Sequence, residues 1–279
     1  MSTKKVWFVT GASKGLGLTL VKKLLAEGYS VAATSRNVSE LEKVISAENS
    51  DFLPLEVDLV NENSVSEAIS KTVEKFGKLD VIVNNAGYGQ LGTLEELTDK
   101  ESRQNFDTNV FGSLNIIRKS MPYLRAQKNG LVINIASIGG LSGDFPGWGI
   151  YCATKFAVVG FTEALAAEAK EFGVNATVVY PGYFRTDFLT GSSLRTPENE
   201  IDAYATARKI QKTHEQDING NQPGDPEKAA VALIELAAME NPPVHLVLGS
   251  DAFEMATNKL STLQNEISDF KTLSISTDY

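Results

Sequence analysis

The chain has 279 residues, enough for one large α/β domain or two small ones, and its 42% hydrophobic and 22% charged content is that of an ordinary globular protein. A formal net charge of −9 argues against the basic footprint that a nucleic-acid backbone requires. Cys152 is the only cysteine, which excludes an internal disulfide and a thiolate metal cluster and reads as a small buried side chain.

The opening MSTKKVWFVTGAS has an apolar run too short for a signal-peptide core, and no later stretch reads as membrane-spanning, so a cytoplasmic protein is expected. Residues 6–10 (VWFVT) read as a strand, and 15–28 follow as an amphipathic helix ending near Gly28. Further strands are expected at 30–34, 52–57, 79–83, 131–137, 174–182 and 244–249. Helical segments fall between almost all of them, the longest near 100–127 and 150–172, and a terminal helix with a polar end follows residue 250. Alternating β and α units predict a doubly wound parallel sheet of about seven strands with helices on both faces. No repeat or Pro/Gly-rich linker divides the chain, so one domain spanning 1–279 is expected.

Residues 187–225 break this pattern: they lack strand signals, are rich in polar residues, and include TGSSLRTPENE and NGNQPGDP. A long insertion directly after a strand's carboxyl end, where open α/β sheets bind ligands, is expected to act as a mobile lid.

The turn TGASKGLG (10–17) closes the first strand and opens the first helix. Gly11, Gly15 and Gly17 suit close approach of backbone to a diphosphate, held by free N–H groups and the positive end of the helix dipole. The spacing is G-x-x-x-G-x-G rather than G-x-G-x-x-G. The same residues also spell Gly-x-Ser-x-Gly, a hydrolase nucleophile elbow with Ser13 as nucleophile. That reading needs a histidine, and the two present, His214 in the expected lid and His245 in a strand pattern, do not read as positioned bases. Tyr151 and Lys155 stand four apart and share one face of the expected helix at 150–172.

Taken in order, these motifs resemble the short-chain dehydrogenase/reductase family, in its single-domain, hydroxysteroid-dehydrogenase-like branch. The likeness runs to about residue 250 and rests on TGASKGLG, VDL (57–59), NNAG (84–87), Asn109 in FDTNVFG, Ser137 in INIASIGG, the Tyr151–Lys155 pair and YPGYFRT (180–186). It implies a Rossmann-like fold and a catalytic set of Asn109, Ser137, Tyr151 and Lys155. It further implies cofactor contacts from Gly11, Ser13, Lys14, Gly15, Leu16 and Gly17, from Asp58 and Leu59 near the adenine, and from Asn85, Ala86 and Gly87. Pro181, Gly182, Phe184 and Thr186 would hold the nicotinamide end, with Tyr151 and Lys155 beside it. Lys155 would also hold the ribose, and Asn109 would support the proton relay.

The chemistry suits these residue types. A tyrosine pKa of about 10 is too high for proton exchange near neutrality, and an adjacent ammonium lowers it. Ser137 would donate to the substrate oxygen, and no metal is required because the hydride comes from the cofactor. After the second strand, where NAD-binding sites carry an acid, the chain has Ser35 and Arg36, with Lys14 in the glycine turn, so NADP(H) is expected. Phe145, Trp148, Tyr183 and Phe188 would line a pocket for an apolar or aromatic carbonyl or alcohol. A homodimer or homotetramer through the two long helices is expected, with neither nucleic acid nor membrane as partner. The competing function is a non-enzymatic NADP-sensing or scaffold protein, which would be expected to have lost the tyrosine or the lysine.

Overall fold

The computed structural model describes residues 4–45, 49–190 and 193–279. Residues 1–3 of the opening segment and 191–192 of the expected lid lie outside the described residues. Seven parallel strands form one sheet: β1 (Val6–Val9), β2 (Ser30–Ser35), β3 (Phe52–Glu56), β4 (Val81–Asn84), β6 (Gly130–Ile135), β7 (Val174–Pro181) and β9 (His245–Leu248). Their order across the sheet is β3-β2-β1-β4-β6-β7-β9, so the winding reverses between β1 and β4. That switch point leaves a crevice at the strands' carboxyl ends, the usual ligand position in such sheets.

The period of two along β1 sorts its side chains between two cores. Trp7 and Val9 pack with Leu20 and Leu24 of α1 (Gly15–Ala26) and Leu233 of α8 (Pro226–Ala238). Phe8 points the other way, toward Ile69 of α3 (Glu62–Phe76), Ile116 of α5 (Gly112–Gln127) and Leu165 of α6 (Gly149–Ala169). Each such buried side chain contributes about 1.5–3 kcal/mol, so both faces of the sheet must be covered.

Helix starts follow local chemistry. Asn61 accepts hydrogen bonds from Asn63 and Ser64 N–H to cap α3, and Thr98 with Glu101 forms a capping box for α4 (Asp99–Phe106). Helix α1 has no side-chain cap and no acid in its first turn. The expected long helix at 100–127 is instead α4, a π-helical turn at Asp107–Phe111, and α5.

Two expectations need correction. The segment 187–225 contains a short strand, β8 (Leu194–Arg195), which pairs in parallel with β5 (Gly89–Gln90) as a second sheet, and a helix, α7 (Ala205–Lys212). Two-residue strands are too short to print a periodicity on the sequence, which is why they escaped it. Carboxylates anchor the segment: buried Glu96 accepts from the Ile201 N–H at 2.9 Å and pairs with Arg208 at 2.6 Å, and Glu101 accepts from the Glu198 N–H at 2.9 Å. Burial pushes the Glu96 carboxyl up, but the Ile201 and Thr93 hydrogen bonds and the Arg208 charge hold it below its ordinary value.

The second correction concerns Gly149–Phe172, which is long and apolar enough to cross a membrane. In this fold one face of it is buried, through Val158, Thr162, Leu165 and Ala169, and α6 packs along β7. The terminal helix α9 (Ser250–Asp269) is anchored by buried Ala252 and Ala256 beside β9, and from Leu260 on its residues are exposed.

Candidate active site

The glycine turn is built by Thr10, a residue the sequence did not single out. Its Oγ1 accepts from the N–H groups of Asn85 at 3.0 Å and Ala86 at 3.1 Å. Asn85 answers by donating from Nδ2 to the Thr10 and Gly11 carbonyls, each at 3.0 Å. The loops after β1 and β4 are thereby locked together at the switch point. A Cβ on Gly11 would lie 2.7 Å from Ala86 Cα, and one on Gly17 only 2.5 Å from Asn85 Nδ2, so both positions require glycine. Gly11 and Gly15 also have φ of +64° and +57°, in the left-handed region.

The resulting crevice holds a cavity of about 700 Å³. It is lined by Gly11, Ser13, Lys14, Gly15 and Leu16 of the first turn, by Ser35 and Arg36, by Asp58 and Leu59, and by Asn85, Ala86 and Gly87. Pro181, Gly182, Phe184 and Thr186 follow from β7, and Ser137, Phe145, Trp148, Tyr151, Lys155, Tyr183 and Phe188 complete the wall. Two of the expected site residues stand behind it. Gly17 packs against Asn85 and the Gly11 carbonyl, and Asn109 is buried in the π-helical turn.

These residues fit a nicotinamide dinucleotide. The uncapped, acid-free start of α1 opens onto a cradle kept clear by glycine, as a diphosphate requires. At the adenosine end Arg36 is exposed on the cavity wall near Lys14, whose ammonium is held below its ordinary pKa by burial and then by the Arg36 charge. Glu40, missed in the sequence because it lies in the helix after Ser35, also lines this end and pulls Lys14 the other way. Asp58 is on the wall, with Oδ1 accepting from the Val60 N–H at 3.0 Å. The buried Ser35 hydroxyl accepts from the Asn37 N–H at 3.2 Å.

At the other end, Ser137 caps the turn after β6, its Oγ accepting from the Gly139 N–H at 3.1 Å, and it shares the cavity wall with Tyr151. Lys155, one turn along α6, is buried, donates to the Ile135 carbonyl at 2.9 Å, and places Nζ 5.6 Å from the Tyr151 ring centroid. Burial pushes the phenol above its ordinary pKa, while the nearby Ser137 hydroxyl pulls it back. Burial brings the Lys155 ammonium down to about 8. Cys152 beside them is buried with its thiol pushed up to about 11 by burial, so it is inert near neutrality.

Asn109 positions rather than lines. Its Oδ1 accepts from the Tyr88 N–H at 3.0 Å, and its Nδ2 donates to the Tyr88 carbonyl at 3.0 Å and to Thr154 Oγ1 at 3.1 Å. Thr154 in turn donates to the Tyr151 carbonyl at 2.7 Å. The π-helical turn is what brings an amide on one helix to both a loop and the neighbouring helix, a common use of such bulges.

Besides the expected Phe188, segment 187–225 delivers Asp187, Leu189, Ser193, Arg195, His214 and Gln222 to this wall, none of them foreseen as site residues. Asp251 of α9 was also unforeseen; its Oδ2 accepts from the Tyr183 N–H at 2.7 Å and steadies the loop after β7. Neither histidine serves Ser13. His214 is bonded to Tyr183 and the Ile210 carbonyl, and His245 to Tyr180, so the hydrolase reading has no base. Among the described residues no cluster of metal-ligating side chains occurs.

A family profile for short chain dehydrogenase matches residues 5–196. Oxidoreductase BOA17 of Botryotinia fuckeliana is 32% identical over 97% of this chain and 98% of its own length. The 3-ketodihydrosphingosine reductase of Bacteroides thetaiotaomicron is 36% identical, covering 88% of each chain. A solved short-chain dehydrogenase from Streptomyces avermitilis superposes with a TM-score of 0.90 at 34% identity, over 98% of this chain and all of that one. Two more distant solved structures carry different cofactors. ElxO, at 28% identity and a TM-score of 0.73 over 90% of this chain and 99% of its own, holds NADP. The Brucella melitensis 3-ketoacyl-(acyl-carrier-protein) reductase, at 26% and 0.73 over 88% of this chain and 98% of its own, holds NADH. With its sheet order, glycine turn and Ser137–Tyr151–Lys155 wall in place, the chain belongs to the short-chain dehydrogenase family and is an oxidoreductase.

Proposed function

We propose that the protein interconverts a carbonyl and a secondary alcohol on a small apolar or aromatic substrate, with NADP(H) as cofactor. The carrying observation is that Ser137, Tyr151 and Lys155, whose Nζ lies 5.6 Å from the Tyr151 ring centroid, share one cavity with the uncapped start of α1. The nicotinamide supplies or removes the hydride when bound. Ser137 donates to the substrate oxygen and holds it against the phenol. Tyr151 gives its proton to that oxygen in reduction and takes it back in oxidation. Lys155 opposes the effect of burial on Tyr151 by stabilising the phenolate, and its ammonium also suits the ribose hydroxyls. Asn109 supports the relay by fixing the Tyr88 loop and, through Thr154, the first turn of α6.

Arg36 and Lys14 favour the 2′-phosphate of NADP(H) over the bare hydroxyl of NAD(H). The rings of Phe145, Trp148, Tyr151 and Phe188 favour an apolar body on the substrate, as does the name of the keto-reductase relative. The hydroxysteroid-dehydrogenase-like assignment rests on YFRTDF and the long segment after it, which we take as the substrate lid of a single catalytic domain. Exposed Phe111 and Phe156 on the two long helical stretches suit assembly as a homodimer or homotetramer, and composition suits a cytoplasmic location. Following NADPH absorbance against a panel of aryl and alkyl ketones tests the reading. Consumption of NADPH with formation of the secondary alcohol supports it, and no turnover across the panel refutes it.

A further inference from the structure

The cavity's aromatic wall contains a hydrogen-bonded polar pair that the reduction does not use. His214, in a π-helical turn at Thr213–Ile218, is buried, and its Nε2 lies 2.9 Å from the Tyr183 hydroxyl. Its Nδ1 lies 2.8 Å from the Ile210 carbonyl. Both side chains line the cavity, and the imidazole lies 5.0 Å, centroid to centroid, from the Trp148 ring.

Donor and acceptor roles follow from elimination. A carbonyl oxygen only accepts, so Nδ1 must carry a proton to hold Ile210. Burial holds His214 below its ordinary pKa, so the ring is neutral and Nε2 is bare. A bare Nε2 can only accept, and the Tyr183 O–H therefore points at it. Tyr183 keeps that proton, because burial also raises its own pKa. With its one hydrogen engaged, the Tyr183 oxygen offers nothing but lone pairs to a ligand.

We propose that Tyr183 and His214 form an acceptor-only subsite that selects substrates carrying a hydroxyl or amino donor in addition to the reacting carbonyl. The inference rests on the carbonyl–alcohol reading above and narrows its substrate class from simple ketones to hydroxy- and aminoketones. An ether or a second carbonyl at the same place would set lone pair against lone pair, the kind of mismatch that polar sites reject most strongly.

The test pairs 2-hydroxyacetophenone and 4′-hydroxyacetophenone with their methyl ethers. Binding to the full-length protein is measured by calorimetry with oxidised cofactor present, and turnover is measured separately. At least one hydroxyketone should bind about tenfold more tightly than its ether. In His214→Phe the Tyr183 hydrogen is released toward the cavity, so that preference should collapse or reverse, whereas a merely structural histidine would weaken both ligands alike. Equal binding within both pairs in the wild type, or an unchanged preference in His214→Phe, overturns the subsite. Nitrogen-15 spectra of the wild-type protein, which has two histidines, supply a check that needs no variant. A His214 ring protonated at Nδ1 alone supports the assignment, and one protonated at Nε2 overturns it. A tenfold preference without reduction of either ketone would uphold the subsite and refute the redox reading; equal binding with both ketones reduced would do the reverse.

Discussion

Lys155 lies over the ring of Tyr151: Nζ is 5.6 Å from the ring centroid and donates at 2.9 Å to the Ile135 carbonyl at the end of β6. The end of the strand thus holds the lysine that α6 presents, while Ser137, two residues beyond Ile135, lines the same cavity as the phenol. Three functional groups are fixed by one strand terminus and one helical turn. Rigid elements hold such a constellation more precisely than loops would.

Tyr151→Phe should lower kcat by about a thousandfold, within the range for loss of a general acid, with cofactor affinity close to unchanged. The ring contacts to Trp148 at 5.4 Å and Phe188 at 6.0 Å need no hydroxyl, so the fold should survive. Steady-state kinetics beside a fluorescence titration of NADPH checks both halves. Wild-type kcat in the variant would remove Tyr151 from its role.

The buried Lys155 makes stability depend on pH. Its ammonium titrates near 8 in the folded chain against 10.5 ordinarily, so between those values the unfolded chain binds more protons. Stability should therefore rise with pH across that window, with the full cost of burying the charge present below it. The difference between wild type and Lys155→Met in urea unfolding should shift toward the wild type by on the order of 3 kcal/mol from pH 7 to pH 10.5. A pH-independent difference would mean that Lys155 is solvated.

Much of this was legible in the sequence, and what was not has a common cause. The glycine spacing, the strand runs and the Tyr151–Lys155 interval are local patterns, and each falls where expected on the sheet or on α6. Thr10 and Asn85 meet across 75 residues, and Asp251 reaches Tyr183 across 68, so nothing adjacent to them in the chain announces the contact. A lone histidine in a polar segment, such as His214, carries no sequence signal; only the folding of α7 and its π-helical turn against Trp148 makes it part of the wall. In Gly149–Phe172, interspersed Thr154, Lys155 and Glu163 break up the apolar run and disguise a helix that is apolar on average.

Asn109→Ala should strand the Tyr88 N–H and release Thr154 from its partner on the neighbouring helix. The expected cost is about 1–3 kcal/mol of unfolding free energy. Because Asn109 stands behind the wall, kcat should fall about tenfold while KM for the ketone moves less. Denaturant melts and kinetics on the same preparation read both, and an unchanged kcat in a destabilised protein would confine Asn109 to a structural role.

The cofactor preference turns on three side chains at the adenosine end. Arg36 is exposed on the wall and able to offer paired N–H groups to a 2′-phosphate, and Lys14 adds a second positive charge from the glycine turn. Glu40 opposes them, since its carboxylate lines the same end and would repel a phosphate while accepting from a ribose hydroxyl. A charge-assisted hydrogen bond contributes about 1.5–3 kcal/mol, which is roughly ten- to hundredfold in affinity, and exceeds what one exposed carboxylate removes through solvent. NADPH should therefore bind at least tenfold more tightly than NADH, and Glu40→Gln should widen the gap. Ser35→Asp with Arg36→Ala puts an acid at the end of β2 and removes the guanidinium, and should reverse the order. Fluorescence titration of the three proteins with both reduced cofactors measures it directly. Equal or tighter binding of NADH to the wild type would leave Glu40, not Arg36, as the residue that decides.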